Sequence, residues 1–353
     1  MGARPFVGQR ARVSVARSPT ELDCIVPAWE ALARAALEPN PFYEHWMLRP
    51  AIAAFGAGKV EVVLVWAGEA LAGLFPFRRV PRYKGLPASA LASWQHSHTL
   101  LCTPLVHAAF ARSALEALFE HIDASLVEFR YIPAGEPFQR LLLEVLDDLV
   151  VNHAYSRGLL RKHGATLSSN FRRRAARNER SLEGFAYRFL APGDDVGAWI
   201  EDFLCIEAAG WKGRNGSAMA SSEANRRYFT EIIAAAFRRG QLLGCGIDAE
   251  GRAIARRFSF TAGAASYAFK TTFDESFAKA SPGALLELAN VRQVDADPAV
   301  EWMDSFTEGN VLAVERLWPG RRRMQTLAAG VGAWGRLAAA ALPWLRWIKR
   351  RVQ

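Results

Sequence analysis

Three short stretches carry side chains able to hold an anion and move a proton. Lys279-Ala280-Ser281-Pro282-Gly283-Ala284 opens an apolar, helix-like segment. A helix start with Gly283 inside it and Lys279 beside it has the ingredients of an anion site: backbone N–H groups, the positive end of the helix dipole and a cation. Pro282 deletes one N–H, so the same stretch also reads as a plain helix start capped by Ser281. Lys270 stands in an apolar run just upstream. A lysine there is costly to bury alone, so it either reaches a cleft or pairs with Asp274 or Asp304. Asp274 and Glu275 follow that run and can take a proton directly or through water.

Further candidates lie on either side. Arg172, Arg173, Arg174, Arg177 and Arg180 crowd one helical segment, balanced only by Glu179 and Glu183. Arginine forks suit phosphate and carboxylate, which points to a phosphorylated donor or acceptor such as a nucleotide sugar or a lipid-linked saccharide; a solvated helix face is the rival reading. Trp211-Lys212-Gly213-Arg214 falls between two helical segments, where Trp211 can meet a sugar ring and Lys212 an anion, or Trp211 can anchor the loop. His96 and His98 are two apart, so on an extended segment both point to one side, with an ordinary pKa suited to acid–base work. Without a third ligand nearby they make a poor metal site, and a structural or surface role is the alternative. Cys24, Cys102, Cys205 and Cys245 are far apart, which argues against zinc and disulfides and for a reducing cytoplasm. No exported leader is read in MGARPFVGQRARVSV.

The elements that must position these groups occur twice. EALAGLFPF near Gly73 and RAIARRFSF near Ala255 align Leu71, Ala72, Phe75 and Phe77 with Ile254, Ala255, Phe258 and Phe260 at an offset of 183 residues. Each follows an apolar run and a Gly-containing turn, which is the mark of a duplicated unit. In the second half a basic helix capped by Ser168 or Ser169, a strand FAYRFL, helices over Val196–Ala209 and Glu223–Arg239, and a three-strand meander over 241–273 are expected. A helix from Ser281 to Val294, a strand at Trp302–Phe306 and a helix from Glu308 or Gly309 to Trp318 complete it. The first half reads similarly: a strand Arg12–Ala16, helices Thr20–Ala36 and Pro41–Phe55, a hairpin Val60–Arg79, a helix Ala108–His121, a strand Leu126–Tyr131 and a helix Phe138–Leu146. The expected division is 1–160, 161–320 and a tail over 321–353.

Charge separates that tail from the rest. Residues 1–160 hold 15 basic and 15 acidic side chains and residues 161–315 hold 20 of each, so the whole net charge of +9 lies in Arg316–Gln353. The apolar stretch Leu327–Ile348 is flanked by Arg321–Arg323 and Lys349–Arg351. Its Ala and Gly content, Arg336, Pro343 and cationic ends oppose a membrane-spanning helix. An amphipathic helix on an anionic membrane surface, with Trp334, Trp344 and Trp347 at the interface, and a helix packed on the protein are the two readings.

LSSNFRRRAARNERSLE, FLCIEAAGWKGRNGSA, YAFKTTFDESFAKASPGALLE and DSFTEGNVLAVERLW resemble the acetyltransferase domain of the CelD/BcsL-like proteins of bacterial cellulose and exopolysaccharide biosynthesis. SWQHSHTLLCTPLV extends the likeness, so that it covers roughly residues 60–320. These proteins have the GNAT acyltransferase fold and are related to the FemABX transferases, whose tandem GNAT-like domains add aminoacyl groups from tRNA. The resemblance implies an α/β, mixed-sheet, tandem GNAT-like fold with acetyl-CoA or another acyl-CoA as co-substrate and no metal. It implies direct attack on the thioester, with a saccharide or cell-envelope precursor as acceptor, Asp304 among the acceptor's contacts, and work beside polysaccharide synthase machinery at the inner face of the cytoplasmic membrane. The pyrophosphate loop that such enzymes carry as Q/R-x-x-G-x-G/A is replaced here by Lys279–Ala284. A tRNA-dependent transferase and a membrane-docked scaffold without chemistry are the alternatives.

Overall fold

Short β-branched and aromatic runs set the strands of the first unit, which comprises residues 1–156 and 323–353. The computed structural model describes residues 11–307 and 317–352. Its first elements are β1 (Arg12–Ala16), α1 (Pro19–Asp23), α2 (Val26–Arg34), α3 (His45–Ala51), β2 (Glu61–Ala67), β3 (Ala70–Val80) and β4 (Ala90–Ser93). The helix expected over Thr20–Ala36 is two, because Pro27, in the first turn of α2, has no N–H with which to continue α1. A short β5 (Leu105–Val106), α4 (Ala111–His121), β6 (Leu126–Pro133) and α5 (Pro137–Val145) follow. The sheet runs β1-β2-β3-β4-β6 and ends on the strand Gly320–Gly330. Every neighbouring pair in that order is antiparallel except β4 and β6, which α4 joins as a crossover. Phe75, Phe77, Phe129 and Phe138 fill the core beneath α4.

The second unit, residues 157–322, repeats that plan. It takes Leu159–Arg161 of β7 (Val150–Arg161), then α6 (Ser169–Arg180), β8 (Ala186–Phe189), α7 (Val196–Ala209), α8 (Trp211–Arg214), α9 (Glu223–Arg238), β9 (Leu242–Ala249), β10 (Arg252–Ala262) and β11 (Ala265–Phe273). A two-residue turn with both Glu250 and Gly251 at positive φ closes the β9–β10 hairpin. Next come α10 (Pro282–Ala296) and β12 (Trp302–Asp304). The order β8-β9-β10-β11-β12-β7 is again antiparallel except at one parallel pair, β11 and β12, spanned by α10. Phe203, Phe229 and Phe258 interlock on one face; Ile247, Ile254, Leu285 and Leu286 pack on the other. The fold is therefore a mixed α/β one with a shared strand order in both units.

Two expectations are corrected. The tail does not begin as a helix at Arg321: Gly320–Gly330 is a strand, β13, with Met324–Ala329 buried, and it completes the first unit's sheet against β6. The helix after it, α11 (Gly332–Val352), packs Ala338, Ala339 and Leu342 on Tyr83, Ala90 and Leu126 of the same unit. Among the described residues no helix is long and apolar enough to cross a membrane. Asp304 is not a substrate contact. It is fully buried on β12, where Arg157 donates at 2.7 Å and Arg322 at 2.8 Å. Burial pushes its carboxyl up, but the two guanidinium groups outweigh that and hold it below the usual carboxylate range. The helix expected from Glu308 to Trp318 lies mostly outside the described residues.

Candidate functional site

The second unit's parallel pair is short. β12 pairs only with Ala265, Ser266 and Tyr267, so residues 268–273 of β11 run on with no described strand beside them on that side. A bulge at Phe269 interrupts the β10–β11 ladder just there, and Lys270 pairs across to Phe258. Phe269 lies 4.9 Å from Phe260, and the Lys270 ammonium sits 5.7 Å from the Phe269 ring.

Lys270 has an electrostatic setting of its own. Burial pushes its pKa down to about 8, the Lys212 charge pushes the same way, and Glu207 opposes both. Glu207 is 2% exposed on α7. It accepts from Lys212 Nζ at 2.7 Å and from the Met219 N–H at 2.7 Å, and Lys212 also reaches the Thr271 carbonyl at 3.4 Å. Lys212 is thus tied to Glu207 and to the β11 backbone. A lysine near pH 8 can exchange protons at neutral pH, where an ordinary one cannot.

The same loop is pinned from the other side. Glu275 accepts the Trp211 N–H at 2.7 Å and Arg214 Nη2 at 2.6 Å, while the Trp211 indole stays 55% exposed. Arg214 and the Trp211 N–H hold the Glu275 carboxyl below its usual range. Asp274 caps the turn Glu275–Ala280 through Ser276, at 2.9 Å to its N–H and 2.6 Å to its hydroxyl, and pairs with Arg252 at 2.8 Å. Burial pushes Asp274 up, yet Ser276 and Arg252 outweigh it and its pKa is lowered. Against the expectation of a base free to take a proton, Asp274 is a capping and ion-pairing carboxylate, engaged by Ser276 and Arg252.

At the start of α10, Ser281 departs from its expected role. Its φ is +53° and its side chain makes no capping bond to the helix; its hydroxyl instead accepts from Arg174 Nη2 of α6 at 3.2 Å. The Ala284 and Leu285 N–H groups turn back to the Ser281 carbonyl. Pro282 has no N–H, which leaves that of Gly283 as the first-turn donor without an acceptor among the described residues. An added Cβ at Gly283 would meet only the Phe273 ring, at 3.5 Å. Lys279 is exposed beside this turn. Arg172 and Arg173 are exposed on α6, with Arg173 held by Asn170 at 2.5 Å.

The structure therefore gathers Lys270, Lys212 and Trp211 around the end of β11, and Ser281, Gly283, Lys279 and Arg174 at α10. His96 and His98 are in the first unit. There His96 bonds Thr99 Oγ1 at 2.6 Å and stacks on Phe55 at 4.9 Å, with the His98 ring 5.6 Å from Phe55. Among the described residues no His, Cys, Asp and Glu group has the makings of a metal site. Sequence reasoning missed Glu207 and named Arg174 only as one of five arginines on its helix. Glu207 had a signal: it stands at helical spacing from Ile200, Phe203 and Leu204 on the buried face of α7, where a carboxylate requires a partner.

Residues 168–310 match the family model of the acetyltransferase (GNAT) domain. No curated protein matches the chain. Among solved structures, a conserved protein of unknown function from Bacteroides thetaiotaomicron is similar, with 15% identity, 90% of this chain and 100% of that one covered, and a TM-score of 0.55. FemX is similar at 9% identity, with 90% and 96% covered and a TM-score of 0.53. The C-terminal domain of a putative lysylphosphatidylglycerol synthetase from Agrobacterium fabrum is similar at 11% identity, with 92% and 97% covered and a TM-score of 0.53. At these identities the likeness is one of fold.

Proposed function

We propose that the acetyltransferase (GNAT) domain at residues 168–310 transfers an acyl group from an acyl-CoA to an amine or hydroxyl of a saccharide or cell-envelope precursor, of the exopolysaccharide type that the CelD/BcsL-like resemblance implies. The observation that carries this reading is the stretch 268–273 of β11, which has no described strand beside it on the β12 side and contains Lys270. The two amides of a pantetheine arm match the backbone of an extended strand, and the phosphates at its far end suit the Gly283 N–H, Lys279 and Arg174. The acceptor's lone pair attacks the thioester carbonyl, the C–S bond breaks, and the coenzyme leaves as a thiolate. Neutral Lys270 takes the proton the acceptor loses and can pass it to that thiolate. The exposed Trp211 face, on a loop fixed by Glu275 and Glu207, supports a sugar ring as acceptor.

The test is calorimetric titration with acetyl-CoA and longer acyl-CoAs. Gly283→Asp places a carboxylate where an acid favours the helix, so the fold should hold while donor affinity falls at least tenfold; Lys279→Ala should weaken it less. Unchanged affinity in Gly283→Asp would remove the α10 site. Failure of every acyl-CoA, with nuclease-sensitive binding of charged tRNA, would transfer the reading to an aminoacyl-tRNA donor, and binding of neither would leave a scaffold.

A further inference from the structure

We propose that the first unit docks on an anionic phospholipid bilayer through the outer face of α11 and the basic loop that packs against it. Seven large apolar side chains are exposed among the described residues, and three of them, Trp334 (55%), Leu337 (65%) and Trp344 (69%), stand on this one helix. The opposite face, Ala338, Ala339 and Leu342, is buried in the unit, so the helix is already packed through that side. Two tryptophans and a leucine on one side of a surface helix suit the headgroup boundary, where an indole finds both apolar and wet surroundings.

Charge selects the occupant. From Arg316 to the C-terminus there are nine Lys or Arg and no acid. The loop between β3 and β4 lies under the helix, with Trp334 Nε1 donating to the Pro87 carbonyl at 3.4 Å, and it exposes Arg82 and Lys84. That loop continues from a cleft of about 480 Å³ lined by Lys59, Arg78 and Arg79, with Arg17 and a single acid, Glu61. Apolar side chains and cations thus share this part of the unit. A second copy of the chain would bring the same cations against each other, whereas an anionic bilayer complements them. This inference is independent of the acyl-transfer reading.

Co-sedimentation of the full chain with vesicles tests it. Binding is expected to phosphatidylcholine vesicles containing phosphatidylglycerol, to weaken with salt, and to be lost on pure phosphatidylcholine. Trp334→Ala with Trp344→Ala should weaken it about tenfold or more, and Arg78→Glu with Arg82→Glu about fivefold for each cation removed. Should the tryptophan pair lower the melting temperature, Leu337→Gln supplies the same comparison. Equal binding to both vesicle types, or binding indifferent to these substitutions, overturns the proposal. So does self-association in sedimentation velocity that the tryptophan pair abolishes, with no vesicle binding, since the face would then belong to a second copy.

Discussion

The two units share a strand order and differ where their parallel strands part. In the second unit β11 runs six residues past its pairing with β12, and Lys270 occupies that extension. In the first unit the corresponding ground is taken. Ser93 Oγ bridges to the Arg130 N–H of β6 at 3.3 Å, the Trp94 carbonyl accepts the buried Tyr43 hydroxyl at 3.0 Å, and Phe55, His96 and His98 pack beyond it. The links also diverge: β10 turns into β11 through Gly263-Ala264, while β3 reaches β4 through the longer basic loop 81–89. The two units have kept one strand order, and they differ in what stands beside the end of the strand that enters the parallel pair: no described strand in the second, its own side chains in the first.

The buried acids at matching positions offer the most forceful way to break this comparison. Glu128 and Asp304 each stand at the third residue pair of their parallel contacts. Asp304→Ala would remove the carboxylate that pairs with the fully buried Arg157 and should cost about 3–5 kcal/mol in urea unfolding. Glu128 has partners, Arg130 and Lys84, that are 29% and 37% exposed, so Glu128→Ala should cost clearly less. Equal losses would mean that the two acids are equivalent.

Lys270 sharpens it next. Lys270→Met should lower turnover about a hundredfold, while His96→Ala in the filled unit should leave it unchanged. The stability effect runs the opposite way. With a folded pKa of about 8 against an ordinary 10.5, the unfolded chain holds a proton between those values that the folded one has released. Wild-type stability should therefore rise with pH across that window, and Lys270→Met, lacking the rise, should be the more stable protein at pH 7 by up to about 3 kcal/mol. A flat wild-type profile from pH 8 to 10.5 would refute the lowered Lys270 pKa.

Smaller effects follow. Tyr43→Phe removes one buried hydrogen bond in the filled unit and should cost about 1 kcal/mol in denaturant, without altering donor affinity. Smallest is a thiol count. Cys24 and Cys205 should react with an aromatic disulfide in the native protein, while Cys102 and Cys245, one buried in each unit, should not. Burial pushes the Cys245 thiol up to about 12.

The hairpin repeat was readable because Phe75, Phe77, Phe258 and Phe260 face their cores at matched spacing. β7 and β13 were not. Met324–Ala329 is buried at every residue, so it shows no alternation, and its Thr-Leu-Ala-Ala run has weak strand propensity after three arginines. Residues 150–161 mix His, Asn and Arg among Val and Leu and straddle the expected boundary at 160. Asp304 was misread because its partner Arg157 lies 147 positions away, a pairing that only the folded sheet reveals. Asp274 had Ser276 two residues on, a local hint of a cap, but Arg252 comes from another strand. At α10 the Lys-x-Ser-Pro-Gly stretch marked a helix start, while the left-handed Ser281 and its tie to Arg174 depend on α6 packing nearby.

The assignment of β13 to the first unit bears on how the chain comes off the ribosome. Residues 11–145 emerge first, but the strand that closes their sheet is synthesised only after nearly all of 157–322. At about 5–20 residues per second the wait is on the order of ten seconds or more. The later-made half can gather its own strands while β6 still presents a bare edge, so this protein should mature from its middle outwards. A released chain truncated after residue 318 should show a protease-resistant second unit beside a still digestible first one.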